Sequence, residues 1–401
     1  ANCSSITSFE IPETVTKICG AILVCTSVTH VEIPDTVTEI NTDSIFANCK
    51  KLESVRLPSC TTEIGSLAFN VCTALKSVNI PYGVTTIGAR AFGECKSLTT
   101  IELPETVTCI QSTAFIGCTA LESIVIPASV TSIGDGAFDG CTALKNIVIP
   151  EGVTSLESYV FNGCTALETV VIPASVTSIA ADAFQNCEKL TIHGQAGSYA
   201  ETWAKENNVA YVTYQNNGDG TCKVSGYSGT CQNLIVSDTA PDGKRITEIG
   251  NEAFVGNTNI QTVKLAPSIT KIGERAFSNC SNLASADLSG VEEIGNGAFK
   301  WCNQLESVNL SQNLKKIGAE AFSSDNKKLN IEIPDSVTEI GREAFKGCFN
   351  LTNVKIPKGL TTLESSVFAN CSSITSFEIP ETVTKICGAI LVCTSVTHVE
   401  I

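Results

Sequence analysis

Apolar residues recur along this chain with a period of about 23 residues. Residues 87–110, IGARAFGECKSLTTIELPETVTCI, show the unit as I-G-x-x-A-F-x-x-C-x-x-L-x-x-V-x-I-P-x-x-V-T-x-I. A fixed period between 20 and 50 residues is typical of a solenoid, in which each unit buries its apolar side against its neighbours. The pattern therefore predicts a stack of similar coils.

The segment L-x-x-V-x-I has the near-alternating apolar and β-branched residues of a short strand. Eleven of the 13 prolines directly follow its last residue, as Pro34, Pro58 and Pro104 do. Proline has no N–H to donate to a ladder, so it ends the strand. We expect one short parallel strand per coil, followed by a change of chain direction.

Thirteen of the 16 phenylalanines occupy one column of the repeat, from Phe46 through Phe184 and again from Phe254 through Phe368. Stacked one per coil, they predict a buried aromatic spine. The glycine at the head of the unit, at Gly65, Gly88, Gly134 and Gly273, suits a turn with positive φ. Other residues replace it at Asn41, Gln111, Glu157 and Glu364.

Cysteines also follow the repeat, at 49, 72, 95, 118, 141, 164 and 187. No C-x-x-C pair occurs, which argues against structural zinc. Side chains stacked in register point in parallel and would strain a disulfide, so we expect buried free thiols. Cys222 and Cys231 lie outside the column in a predicted hairpin, where a disulfide or two free thiols are both compatible with the sequence.

The A-F-x-x-C and I-P spacings resemble the BspA-like, treponemal-type leucine-rich repeats over about 15 units. The resemblance implies an α/β solenoid, a right-handed superhelix with a concave parallel β-sheet and short helical or 3-10 turns on the convex side. Residues 190–211, LTIHGQAGSYAETWAKENNVAY, resemble a closing segment with a short helix, in which Tyr199, Trp203 and Val209 cover the last coil. A hairpin then opens a second array.

This resemblance divides the chain into two domains. The first, 1–214, is an array with its closing segment at about 190–214; the second, 215–401, has a lead-in hairpin at about 215–245 and a second array. Two units depart from the pattern: CGAILVC at 19–25 is one residue short, and SSDNKK at 323–328 lacks the column cysteine. We expect these units to bend the solenoid or to mark contacts.

The first 33 residues, 1–33, are identical to the last 33, 369–401. The offset is 369 − 1 = 368 residues, or 16 × 23, so the two copies are in phase with the repeat. The identity indicates a recent duplication or a deliberate joining, and with no Met anywhere we expect a piece of a longer protein. A natural parent with 368-residue blocks should continue after Ile401 with a close copy of PDTVTEINTDSIF.

The formal charge of −15 and pI near 4.7 argue against binding to nucleic acid or anionic membrane. The longest apolar run, CGAILVC, is too short to span a membrane, so no membrane insertion is expected. The sequence suggests no cofactor and no metal. The resemblance implies an extracellular or cell-surface protein of a bacterium or protozoan, used for adhesion to protein or glycan partners on host or microbial surfaces.

Solenoids usually bind through outward-facing strand residues of the concave face. The residue before the last strand Ile or Leu is, in successive units, Glu10, Glu32, Arg56, Asn79, Glu102, Val125, Val148 and Val171. The three valines predict an exposed apolar stripe, flanked by Ser123, Asn146 and Thr169, and such stripes often mark partner sites. The alternative interpretation is that these units are near copies and that Val simply favours strands.

Glu10, His30 and Glu32 form a weaker candidate, repeated as Glu378, His398 and Glu400. Carboxylates one strand apart resemble the pair of a retaining glycosidase or a weak cation site, but a solvated acidic edge produces the same spacing. NNGDGT at 216–221 suits a hairpin turn better than a calcium or phosphate loop. No catalytic triad or nucleotide motif occurs.

The sequence therefore predicts a non-catalytic adhesion or ligand-binding segment that acts through the concave sheet. A structural spacer that displays other domains is the alternative, and an enzyme is the third. Because neither end carries a recognisable cap, we also expect possible end-to-end self-association through open strand edges.

Overall fold

The computed structural model describes residues 9–22, 27–240, 242–324, 329, 331–390 and 398–400. These residues form a parallel β-solenoid of about 16 turns with very little helix. The chain divides into two compact units, 1–209 (unit 1) and 210–401 (unit 2). A functional division between residues 214 and 215 stays a prediction.

Unit 1 is built from very short parallel strands and one helix. In chain order they are β1 (Lys17–Ile18), β2 (His30–Glu32), β3 (Glu39–Ile40), β4 (Ser54–Arg56), β5 (Glu63–Ile64), β6 (Ser77–Asn79), β7 (Thr86–Ile87), β8 (Thr100–Ile101), β9 (Cys109–Ile110), β10 (Ser123–Ile124), β11 (Ser132–Ile133), β12 (Asn146–Val148), β13 (Ser155–Leu156), β14 (Thr169–Ile172), β15 (Ser178–Ile179), β16 (Thr191–Gln195) and α1 (Tyr199–Glu206).

Unit 2 begins with an antiparallel hairpin and continues with parallel strands. They are β17 (Ala210–Asn216), β18 (Thr221–Ser228), β19 (Asn233–Val236), β20 (Arg245–Ile249), β21 (Thr262–Leu265), β22 (Lys271–Ile272), β23 (Ser285–Leu288), β24 (Glu293–Ile294), β25 (Ser307–Leu310), β26 (Lys316–Ile317), β27 (Glu339–Ile340), β28 (Asn353–Lys355), β29 (Thr362–Leu363), β30 (Ser376–Glu378), β31 (Lys385–Ile386) and β32 (His398–Glu400).

Most coils contribute two strands, of which only the one before the proline was predicted. In unit 1 the even-numbered strands form the pre-proline face and the odd-numbered strands the post-proline face. The V-T-x-I segment forms the second row because its Val and Ile are buried while the Thr between them is exposed. Along β5, β7, β9 and β11 the isoleucines lie in register, as Ile64, Ile87, Ile110 and Ile133.

The A-F segment of each coil is a series of turns rather than the helical or 3-10 turns that the family resemblance implied. Alternate N–H groups bond within the turn, as Asn70 donates to the Leu67 carbonyl at 3.1 Å. The others donate to the next coil, as Phe69 does to the Ala91 carbonyl at 2.7 Å. We call this inter-coil series the turn ladder. It requires left-handed residues at two positions per coil, such as Leu67 (φ 58°) and Val71 (φ 62°).

The prediction of positive φ at the head glycine is wrong. Gly65, Gly88, Gly134 and Gly273 do not have left-handed backbone; instead their Cα atoms lie against the preceding coil. A Cβ added to Gly88 would lie 2.6 Å from the Gly65 carbonyl carbon and 2.7 Å from the Ser66 nitrogen. Glycine is needed there because no side-chain atom fits between the two backbones.

The aromatic spine is confirmed. From Phe46 to Phe184 the rings stack with centroids 5.2–5.5 Å apart. The spine of unit 2 runs from Phe254 to Phe368 at 4.8–5.5 Å. Because the ring planes are within 22° of parallel and the ring centroids are this close, neighbouring rings contact each other as offset stacks.

The column cysteines are free thiols, as predicted, and so are Cys222 and Cys231. Each column thiol that has a coil before it donates a hydrogen bond to the Phe carbonyl of that preceding coil. Cys72 donates to Phe46 at 3.0 Å, and Cys118 donates to Phe92 at 3.0 Å. The thiol thus satisfies a carbonyl inside the solenoid, where an unpaired polar group is costly.

The closing segment of unit 1 contains α1, which begins after the N-cap Ser198; the Ser198 Oγ accepts from the Glu201 N–H at 3.4 Å. Trp203 is buried and meets Phe184 edge-on at 5.6 Å, and Val209 is half-buried. Tyr199 does not cover the last coil, since its side chain is 43% exposed. The buried face of the helix is formed by Ala200, Trp203 and Ala204, which have the spacing i, i+3, i+4.

The hairpin of unit 2 starts at Ala210, five residues before the predicted start, and its turn is the NNGDGT segment. The Asp219 carboxylate accepts from the Thr221 N–H at 2.9 Å, and the Asn217 N–H donates to the Thr221 carbonyl at 3.0 Å. These bonds fix a turn, as the sequence favoured.

Candidate binding surface

The three valines of the predicted stripe lie on the pre-proline face of unit 1. Val148 and Val171 are register partners in β12 and β14, and Val125 directly follows β10. Val125 is 77% exposed and Val148 is 49% exposed, whereas Val171 is half-buried. Buried residues alternate with them, as Ile124 and Ile126 do beside Val125. The strand alternation therefore directs these valines outward.

A second column runs beside the valines and is polar but uncharged. Ser123, Asn146 and Thr169 are register partners in β10, β12 and β14. Ser123 and Asn146 are exposed and Thr169 is half-buried. Of the charged residues that directly precede these three, Lys145 and Glu122 pair with each other, with Lys145 Nζ 3.2 Å from the carboxylate, whereas Glu168 is exposed. The column itself is uncharged on a chain of formal charge −15.

The column continues to His193, which lies in the predicted closing segment at 190–211. His193 is the register partner of Val171, and Thr191 is the partner of Thr169. Burial lowers the pKa of His193 to about 4, so its imidazole is neutral at physiological pH. Aligning Thr191-Ile192-His193 with Thr169-Val170-Val171 would have revealed this position. We call Val125, Val148, Val171 and His193 the neutral stripe.

The acidic edge does not form an isolated carboxylate pair. Glu32 lies 3.5 Å from the Arg56 guanidinium, which also pairs with Asp35 at 2.6 Å. The Ser59 backbone N–H and then the Arg56 guanidinium hold the pKa of Asp35 below its ordinary value. His30 Nδ1 lies 2.6 Å from Ser54 Oγ, and Glu10 is exposed. These contacts favour a solvated acidic edge over a hydrolytic site.

The second copy shows how the duplicated residues align. Glu378 in β30 is the register partner of Glu400 in β32, and Ser376 is the partner of His398. Parallel strands of a ladder lie about 4.8 Å apart, so the two glutamates are neighbours by backbone register alone. Any repeated acidic position would produce this arrangement.

Unit 2 does not continue the neutral stripe. Its equivalent column has Ile235, Lys264, Asp287 and Asn309 in register. Only Ile235 among these is apolar, with 72% of its surface exposed. The exposed apolar stripe is therefore a property of unit 1.

The irregular unit at 323–334 interrupts the pre-proline face of unit 2. Leu329 is fully buried one position later than the repeat predicts, and no strand is present at 331–334. A cleft of about 390 Å³ opens there, with Ile331 and Leu351 inside and the Asp335–Lys355 ion pair (2.7 Å) among its lining residues. Residues 325–328 and the last three residues of CGAILVC, 23–25, lie outside the described residues.

Within the described part of the chain, no group of three or more His, Cys, Asp or Glu side chains is arranged to hold a metal ion. The helix there, α1, has neither the length nor the apolar character to cross a membrane.

Comparison with known proteins identifies the repeat. Residues 1–118, 62–191, 231–330 and 325–401 match the family described as "BspA type Leucine rich repeat region (6 copies)". No curated protein matches the chain. A leucine rich cell surface protein from Faecalibacterium prausnitzii A2-165 is 32% identical, over 90% of this chain and 83% of that one, with a TM-score of 0.39.

Two further solved structures are similar in sequence. A leucine-rich repeat protein from Bacteroides ovatus ATCC 8483 is 28% identical, over 88% of both chains, with a TM-score of 0.40. The Leucine Rich Repeat protein of T. pallidum is 28% identical over 45% of this chain and 80% of that one, also with a TM-score of 0.40. Together with the family match over most of the sequence, the repeat of buried Phe, Cys, Leu and Ile places this chain in the BspA-type leucine-rich repeat family.

Proposed function

We propose that this chain is a non-catalytic, cell-surface adhesion segment that binds a protein or glycan partner through the pre-proline face of unit 1. The observation that carries the proposal is the neutral stripe, with Val125 and Val148 exposed side by side beside uncharged Ser123 and Asn146. Exposed valines lose contact with water when a partner covers them, which favours association. Membership of the BspA-type family supports an interaction role.

The electrostatics of the stripe also fit a binding surface. Charged side chains are depleted from the centres of protein interfaces because desolvating them is costly. Here the outward positions of β12 and β14 are Asn146, Val148, Thr169 and Val171. Neutral His193 extends this region by one strand. A partner can cover four adjacent strands of unit 1 without burying an unpaired charge from these positions.

The test is binding of the chain to a panel of extracellular-matrix proteins and glycans, with a variant carrying Val125→Glu, Val148→Glu and Val171→Glu. Fully burying a valine contributes about 1.5 kcal/mol, and Val171 is already half-buried, so the variant should bind roughly 100-fold more weakly. The matched control carries Thr85→Glu, Thr108→Glu and Thr131→Glu, the same added charge at exposed positions of the post-proline face.

Both variants must keep the circular dichroism spectrum and unfolding midpoint of the parent within a few degrees. Loss of binding in the valine variant alone supports the neutral stripe as the contact. Equal binding by both variants would place the contact elsewhere on the solenoid and contradict this site. If the parent binds nothing on the panel, the structural spacer becomes the better interpretation.

A further inference from the structure

The turn ladder ends at the last coil of unit 1. In each of the five successive coils from Phe46 to Phe138, three N–H groups donate to carbonyls of the next coil. In the sixth coil, Phe161 donates to Ala183 at 2.9 Å and Gly163 donates to Gln185 at 2.8 Å. In the last coil the equivalent residues are Asp182, Phe184 and Asn186. Their backbone N–H groups meet no acceptor among the described residues. The last coil thus presents open donors in the series that the six preceding coils use for stacking.

Asp182 and Phe184 border a cleft of about 580 Å³ between the last coil and the closing segment. Its apolar wall includes Phe184, Leu190, Trp203 and Val209. The Phe184 ring ends the spine, and the Trp203 ring meets it at 64° rather than stacking on it. A volume between 300 and 1,000 Å³ is typical of a ligand site.

A side-chain acceptor completes the polar lining. The Oδ1 atom of Asp182 is buried and has no hydrogen-bond partner in the described part of the chain. A buried carboxylate oxygen without a donor costs more than a neutral group would, so a ligand that donates an N–H there gains free energy. A ligand that complements the cleft therefore carries oxygen acceptors for the open N–H groups and a donor for Asp182 Oδ1.

We propose that this cleft binds a peptide segment of a partner protein, in a turn conformation and with an aromatic side chain. The earlier coils of the same array show what the open N–H groups bind, namely backbone carbonyl oxygens at about 2.7–2.9 Å. A polypeptide carries such carbonyls together with N–H groups for Asp182. Its aromatic ring packs beside Phe184 and Trp203, as the ring of a further coil would extend the spine.

The site lies off the pre-proline face and is independent of the neutral stripe.

The test of peptide binding at this cleft uses a synthetic peptide, GARAFGES, copied from residues 88–94 with Ser in the position of Cys95 and blocked at both ends. The protein carries Trp301→Phe, which leaves Trp203 as the single tryptophan of the chain. Titration should change Trp203 fluorescence saturably, and amide exchange of Asp182, Phe184 and Asn186 should slow on binding.

Three comparisons make the result specific. Ala181 lines the cleft and is exposed, so Ala181→Phe should fill it and weaken peptide binding at least about tenfold, or about 1.4 kcal/mol. Ala128→Phe, at an exposed turn outside the cleft, should bind within about twofold of the parent, which is under 0.5 kcal/mol. A peptide with Ser in place of Phe should bind at least about tenfold more weakly than the parent peptide.

The proposal is overturned if the parent shows no saturable response up to about 1 mM peptide, a limit of roughly −4 kcal/mol. It is also overturned if Ala181→Phe binds as the parent does, or if the three amides exchange unchanged. The exchange measurement needs no variant, so it decides the question even if Ala181→Phe disturbs folding. The triple valine variant should bind this peptide normally, which separates the cleft from the neutral stripe.

Discussion

At the scale of single residues, the column thiols show how strongly the fold changes local chemistry. Burial raises the pKa of Cys72, Cys118 and Cys280 to about 12, from an ordinary value of 9.0. The neutral thiol also donates a hydrogen bond, as Cys118 does to the Phe92 carbonyl. These cysteines are therefore inert as nucleophiles at neutral pH, because only the thiolate reacts.

This shift predicts a loss of stability in alkaline solution. Above pH 9 the unfolded chain releases thiol protons while the folded chain keeps them, so the free energy of unfolding falls as the pH rises towards 12. Each thiol contributes about 1.4 kcal/mol per pH unit in this window. Urea unfolding at several pH values should show a shallower dependence of the free energy of unfolding on pH for Cys118→Ala than for the parent. An unchanged slope for Cys118→Ala would refute the effect.

The residue scale also shows which positions sequence reasoning identified. The phenylalanines from Phe46 to Phe184 and the column cysteines from Cys49 to Cys164 were assigned correctly as buried, because both are apolar residue types that recur in phase with the repeat. Gly88 was misassigned because glycine serves both positive φ and close approach, and the sequence alone does not separate the two. Tyr199 was misassigned because a helix of eight residues leaves its orientation to packing.

At the scale of elements, the coil depends on three hydrogen-bonded faces rather than on the predicted strand alone. The strands are two to five residues long over most of the solenoid, too short to be stable by themselves. The post-proline strands and the turn ladder add hydrogen bonds between the same coils. The sequence did not predict the post-proline strands or the turn ladder, because their donors and acceptors lie in different units of the repeat.

The close approach of coils predicts a large cost for Gly88→Ala. The added Cβ would lie 2.6–2.8 Å from backbone atoms of the preceding coil, which must move to accept it. We expect a loss of about 2–4 kcal/mol, in the range of overpacking and strain. Gly20→Ala is the control, since nothing lies within 4 Å of a Cβ there, and it should change stability by less than about 0.5 kcal/mol. Equal effects in denaturant unfolding would contradict the packing argument.

At the scale of the whole molecule, the chain carries two separate cores. A core cluster runs from Cys222 to Ile379 and contains residues of unit 2 only. Unit 1 has its own spine, closed by Trp203. In each unit a coil contacts its neighbours, so stability is approximately a sum of local terms.

Two cores predict two unfolding transitions. Phe115 and Phe322 are buried and stacked in the spines of units 1 and 2. Phe115→Ala should destabilise one transition by about 3–5 kcal/mol, and Phe322→Ala should destabilise the other by a similar amount. Calorimetry or urea unfolding followed by circular dichroism measures both. A single transition shifted by either substitution would show that the units unfold together.

The neutral stripe illustrates the limit of sequence reasoning about sites. Val125, Val148 and Val171 were placed correctly on an outward column because side chains alternate along a strand. His193 was missed because it follows a change in unit length, and only the register with Val171 places it in the column. The cleft at Asp182 was missed because no residue type signals the end of a backbone ladder.

The sequence by itself determined the repeating order of buried positions, since a coil that copies its neighbour must bury the same Phe, Cys, Leu and Ile. It also determined the strand end at each proline and the approximate place of the closing helix. The tertiary structure decided the register between coils, the left-handed turns and which donors stay open at Asp182, Phe184 and Asn186. The physical reason is that these features depend on backbone partners in other coils, 20 or more residues away, which local side-chain preferences do not specify.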